Sequence, residues 1–163
     1  MGHPVRNVHR RTIPASPGAV GAVLDTLASP GDLLWPWEEW PPVRFDRPLQ
    51  PGAAGGHGPI RYTVELYRPG SELRCTFTGP RGVDGWHRFA VTEGDRPGTS
   101  ELVHELVVVT SGLARLSWPF AFRALHNALI EDALAKAARH FGSTAPPHRA
   151  WTPWVRLLRR LPA

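Results

Sequence analysis

The sequence predicts an α+β fold in which a curved antiparallel sheet wraps around one long C-terminal helix. Three observations carry this. Apolar residues recur at helical spacing after a first short strand, alternate with period two over residues 43–110, and return to helical spacing over 118–141. The alternating runs are joined by RPG, TGPRGVDG and EGDRPGT, which are turn-forming and too short for crossovers, so consecutive strands pair antiparallel. One long helix following such a run covers one face of the sheet.

Each element has its own signal. Residues 8–13 (VHRRTI) are a short strand. Ser16 then offers an N-cap and Pro17 a first helical position, and Val20, Val23, Leu24 and Leu27 repeat at i, i+3, i+4, i+7. A second Ser-Pro-Gly start at Ser29 opens a shorter helical turn, which must end near WPWEEWPP because each proline there removes a backbone donor. Two short helices are therefore expected after the first strand. Six strands are expected in all, the remaining five at 43–47, 60–68, 72–78, 86–92 and 101–110. The closing helix, 118–141, groups Trp118, Phe122, Leu125, Leu129, Ile130, Ala133 and Ala137 on one side with His126 near the middle of the stripe; Glu131 falls opposite.

Composition narrows the function classes. At 163 residues and 42% hydrophobic, the chain suits a single cored domain, expected over 1–145, with a basic amphipathic tail at 146–163. Basic residues outnumber acidic ones by 19 to 14, but six of the basic residues follow Asp132, the last acid. The body is thus near neutral, and no nucleic-acid partner is expected. The single cysteine, Cys75, excludes an intramolecular disulfide and a cysteine zinc cluster, as expected of a reducing cytoplasm. There is no apolar leader at the N-terminus and no run near 18 apolar residues, so a cytoplasmic, soluble protein is expected.

The element order, together with GHGPIRYTVELYRPG, GWHRF and WPFAFRALHNALIEDAL, resembles the START-like, Bet v 1-like (SRPBCC) group, the polyketide cyclase/dehydrase and lipid transport proteins. The resemblance covers about residues 7–142 and looks like actinobacterial members. Arginine, which supplies 18 of the 19 basic residues, fits a GC-rich genome. The resemblance implies the helix-grip fold, usually with one strand more than six, and a deep apolar cavity between sheet and long helix. Different members use that cavity for lipids, polyketides or plant hormones, and a few catalyse cyclisation. It implies no shared catalytic motif.

Alternation shows which side chains would line such a cavity. Leu102, His104, Leu106 and Val108 share one face, as do His87, Phe89 and Val91, and a hairpin around GDRPG sets His104 opposite His87 or Phe89. Tyr62, Val64 and Leu66 supply a third set; Leu73, Cys75 and Phe77 supply a fourth. The candidate ligand-binding residues are therefore Tyr62, His87, Phe89, His104, His126 and Phe122. Trp35 and Trp37 in WPWEEW form either a lid over the cavity or packing for a Pro-rich loop. His57 lies in GAAGGHG, which reads as a mobile hairpin loop, where it is either a solvated side chain or a guard at the cavity mouth.

No cofactor and no metal are expected. His87, His104 and His126 lie 17 and 22 positions apart on separate elements, with no closely spaced ligand pair, so hydrogen bonding to a ligand or to the protein is the stronger reading. His104-Glu105 starts no helical H-E-x-x-H site, and GAAGGHG leads into a strand, so no helix N-terminus is available for a phosphate. There is no G-x-S-x-G elbow, and Cys75 on an apolar face is packing.

In the tail, Thr152 and Pro153 begin a short helix with Trp154, Leu157, Leu158 and Leu161 on one face and Arg156, Arg159 and Arg160 on the other. Ten residues are not stable as a helix in water, so a surface must order them: the domain, a second protomer in a homodimer, or an anionic membrane. Packing on protein is the expected outcome. Two functions stay open. One is a binding module for a hydrophobic small molecule or lipid; the other is a polyketide cyclase or aromatase using cavity histidines as general acid and base.

Overall fold

A computed structural model describes residues 2–144 and 151–160; Leu161 and residues 146–150 of the anticipated tail lie outside the described residues. The chain runs β1 (His3–Ile13), α1 (Pro17–Leu24), β2 (Arg44–Phe45), β3 (Ala54–His57), β4 (Ile60–Arg68), β5 (Glu72–Gly79), β6 (Val83–Glu93) and β7 (Ser100–Thr110). It closes with α2 (Ala114–Ser117), a π-helical turn (Trp118–Phe122), α3 (Arg123–His140) and α4 (Pro153–Leu158). All seven strands form one antiparallel sheet in the order β1-β7-β6-β5-β4-β3-β2. This is the helix-grip α+β architecture, with the first strand returning to pair with the last.

The strand missing from the sequence reading is β3, inside the segment read as a mobile loop. Its glycines hid it. At Gly56, φ is +156° and a Cβ would sit 2.0 Å from the Ile60 carbonyl oxygen, so the close β3–β4 pairing requires glycine there. β1 begins five residues earlier than expected and pairs with β7 along its whole length, from His3 opposite Thr110 to Ile13 opposite Ser100.

The first helix forms as its signals predict. Ser16 Oγ accepts from the Ala19 amide at 3.4 Å, and Val20, Val23 and Leu24 are buried. Gly21 touches the β4–β5 turn, where a Cβ would lie 2.0 Å from the Gly70 carbonyl oxygen. The second Ser-Pro-Gly start leads into hydrogen-bonded turns instead of a second helix. There Asp32 is buried and accepts from the amides of Ala28, Leu34 and Trp35 at 2.7–2.8 Å. Those bonds compete with helix propagation and fix Trp35 against the core.

The long helix departs from a plain amphipathic rod. It begins at Ala114, not Trp118, and passes through a π turn at WPFAF, where Pro119 has no amide hydrogen to donate. α3 is buried on most of its circumference. The side opposite His126 is not solvent: Glu131 accepts from His9 Nδ1 at 2.7 Å and Arg11 Nη2 at 2.9 Å, both on β1. On a further side, buried Asp132 accepts from the indoles of Trp40 at 2.9 Å and Trp151 at 2.7 Å. α4 packs back on the body through Val155, which belongs to the main core. No helix among the described residues is long and apolar enough to cross a membrane.

Candidate functional site

A cavity of about 310 Å³ lies between the inner face of the sheet and the α2–α3 rod. Its wall is mostly apolar, with Ile60, Phe77, Val83, Leu106, Leu125 and Leu129 contributing, and four histidines enter it: His57, His87, His104 and His126. Trp118 and Phe122 from the π turn, Trp35 and Trp40 from the Pro-rich loop, and Leu158 and Arg159 from the C-terminal segment complete the boundary.

Register explains how the histidines meet. β6 and β7 pair Phe89 with His104 and His87 with Leu106, so the two imidazoles are diagonal neighbours on one face. His104 Nε2 lies 3.4 Å from His87 Nδ1, and the ring centroids are 5.6 Å apart. His126 approaches from α3 with its centroid 5.1 Å from that of His104. β3 delivers His57, whose ring packs at a tilt against Trp35, centroids 4.8 Å apart.

Burial keeps all four rings neutral. It pushes His57 down to about 4 and His87 to about 3, with neighbouring cations or imidazoles adding to the effect. His126 is pushed to about 3 by burial and by His9, which Asn127 offsets only in part. His104 is driven well below the ordinary range by burial and by the histidines around it. A neutral imidazole offers one donor and one acceptor. Among the described residues, His87 Nε2, His104 Nδ1 and both nitrogens of His126 are buried with no partner of hydrogen-bonding geometry.

The structure brings some anticipated residues to the wall and sets others apart. Phe122, His87, His104 and His126 line the cavity, as does Trp35. His57 belongs to the wall and not to a solvated loop. Tyr62 and Phe89 stand one layer behind: the Tyr62 ring meets His87 edge-on at 4.8 Å and Phe89 meets His104 edge-on at 4.6 Å. Trp37 turns outward beneath Lys136 Nζ, 5.2 Å from its ring. Cys75 is buried and its thiol pushed up to about 12, in keeping with packing. Among the described residues no group of three or more His, Cys, Asp or Glu is arranged to hold a metal ion.

Sequence reasoning missed the polar groups that position this wall. His9 lies opposite His104 in the β1–β7 register and bonds Glu131 and Asn127. Alternation of Asn7, His9 and Arg11 was the available signal. At the other end, Arg159 turns inward and does not share an outer face with Arg156 and Arg160. Its guanidinium stacks over Trp151 at 3.7 Å and Trp40 at 4.7 Å and donates to the Glu39 carbonyl.

No protein-family model and no curated protein sequence matches the chain. Solved structures share its fold at low identity. CalU16 from Micromonospora echinospora is 13% identical over 98% of this chain and 91% of that one, with a TM-score of 0.58. Norcoclaurine synthase from Thalictrum flavum, a point mutant in complex with a transition-state analogue, is 12% identical over 88% and 99%, with a TM-score of 0.63. Ara h 8.0201 is 13% identical over 87% and 100%, with a TM-score of 0.61. The chain has the START-like, Bet v 1-like fold.

Proposed function

We propose that the protein binds a small, largely apolar molecule carrying hydroxyl or carbonyl groups in the cavity between sheet and long helix. The observation that carries this is the set of unpartnered imidazole nitrogens on an otherwise apolar wall. An unsatisfied buried polar atom costs on the order of 1–3 kcal/mol, and a ligand hydroxyl or ketone removes that cost by hydrogen bonding. Apolar lining with a few convergent polar groups is the general form of a small-molecule site, and about 310 Å³ sits at the small end of the usual range. The norcoclaurine synthase that shares this fold was solved in complex with a transition-state analogue, which supports the reading by analogy.

The cyclase alternative asks one of these rings to abstract a proton. A general base works best with a pKa near the operating pH, whereas burial holds His87 and His126 near 3. Rings so depressed are better suited to hydrogen bonding than to proton abstraction, which favours binding. The test is displacement of an environment-sensitive apolar dye by an aromatic phenol, followed by fluorescence. Saturable displacement by the phenol, weakened in His104→Leu, is the expected result. A dye that does not bind the wild type, or that binds Leu125→Trp, which fills the cavity, as well as the wild type, would overturn the reading.

A further inference from the structure

Five of the seven exposed large apolar side chains among the described residues lie on two adjacent elements; Trp37 and Val109 lie elsewhere. Leu113, Leu116 and Phe120 project from α2 and the π turn, and Trp154 and Leu157 from α4, with exposures from 48% at Trp154 to 85% at Leu113. The two elements are adjacent, since Trp154 Nε1 donates to the Phe120 carbonyl at 2.7 Å. Trp118, Phe122 and Leu158, interleaved with these residues in sequence, line the cavity. The patch is therefore the outer surface of the cavity's own wall.

Within these two segments charge has one sign, with exposed Glu39 of the Pro-rich loop standing beside α4 at Arg159. Arg115, Arg123, Arg156 and Arg160 are exposed, and no acid occurs between Glu105 and Glu131 or after Asp132. Elsewhere several arginines are matched with carboxylates, as Arg6 and Arg88 are by Glu105 and Arg11 by Glu131, although among the described residues Arg44, Arg61, Arg81, Arg96 and Arg139 are not. None of Arg115, Arg123, Arg156 and Arg160 has an ion pair among the described residues. The segments GLARLSWPFAFR and TPWVRLLRR also contain no Asp, Glu, Asn, Gln or Tyr. They have the apolar, Trp-bearing, Arg-rimmed character of an interfacial membrane element.

We propose that the face formed by residues 113–123 and α4 docks on an anionic lipid bilayer, placing the cavity wall against the membrane surface. Leu116 and Phe120 enter the headgroup region, while the four arginines meet lipid phosphates. The inference is independent of which molecule the cavity holds.

The test is cosedimentation of the full chain with phosphatidylcholine vesicles and with equimolar phosphatidylcholine and phosphatidylglycerol vesicles. Binding is expected to the anionic vesicles only, and to fall as salt rises. Arg115→Glu with Arg156→Glu should weaken it by about thirtyfold or more, the effect of two arginines near an anionic surface. Phe120→Glu should weaken it by about tenfold or more. Both variants should keep the wild-type melting temperature, because the altered side chains are exposed. Equal binding to neutral vesicles, or anionic binding untouched by both variants, overturns the proposal. So does absence of vesicle binding in a chain that self-associates through Phe120, which would make the patch a protein interface.

Discussion

Acidification is expected to destabilise the protein well above the pH at which carboxylates protonate, and the buried histidines set the size of the effect. An unfolded histidine titrates near 6.5. In the folded protein His57 is held at about 4 and His87 and His126 at about 3. Their folded values are depressed, so the unfolded chain binds the extra protons, and the stability they contribute is present above about pH 6.5. It is lost as pH falls from there toward the folded values. Between about pH 7.5 and 5.5, each such histidine accounts for about 1.4 kcal/mol, and the three together for about 4 kcal/mol, a large share of an ordinary domain's stability. His104 acts in the same direction. Asp32, raised by burial, acts in the opposite sense but only toward the carboxylate range. Urea unfolding followed by tryptophan fluorescence at the two pH values measures the difference. His126→Leu should remove about 1.4 kcal/mol of the pH-dependent loss while leaving stability at the higher pH near wild type, because no well-formed hydrogen bond is deleted. Equal stability at both pH values, or an unchanged loss in the variant, would refute the reasoning.

Three further outcomes are expected. Truncation after Gly142 removes Val155 from the core and the Arg159–Trp151 stack from Trp40, and should lower the melting temperature by about 5 °C or more; an unchanged melt would show that α4 adds nothing to the fold. Gly21→Ala places a methyl 2.0 Å from the Gly70 carbonyl oxygen and should cost about 1–3 kcal/mol despite alanine's better helix propensity, read as a lower urea midpoint. Leu125→Trp should abolish uptake of an apolar dye without altering the far-UV circular dichroism, since it occupies the cavity and not the core.

How much could be read from the sequence varied with the kind of signal. Period-two alternation located β4 to its observed ends and put His87, His104 and His126 toward one interior, because alternation and helix angle are local geometry. β3 was illegible because its residues are Ala-Gly-Gly-His, whose requirement for glycine comes from the neighbouring Ile60 carbonyl, a contact that exists only after folding. His57, left open between a solvated side chain and a guard at the cavity mouth, lines the cavity. The helix was legible as a helix but not in its surroundings. A single apolar stripe describes a rod with one buried side, whereas α3 meets β1, the cavity and the Pro-rich loop on different sides. The partners of Glu131 and Asp132, His9 and Arg11 or Trp40 and Trp151, lie far away in sequence and could not be read from it.

Those same partners explain why the cavity can keep unpaired imidazoles. Rotation of α3 about its axis would carry His126 out of the cavity and bring it a hydrogen-bond partner, but three sets of bonds oppose this. Glu131 is held by His9 and Arg11 on one side, and Asp132 by two indoles on another. On a third, Lys136 donates to the Trp35 carbonyl at 2.7 Å and to Glu38 at 2.9 Å. Charge-assisted bonds of this kind are worth more than the one or two bonds His126 would gain by turning. The polar cost inside is thus retained by a framework that reaches the cavity only through Trp35 and Trp40. An arrangement that fixes unsatisfied donors and acceptors on a rigid apolar wall is pre-organised for a molecule that supplies the missing bonds, and it lowers the cost of ordering the site when that molecule arrives.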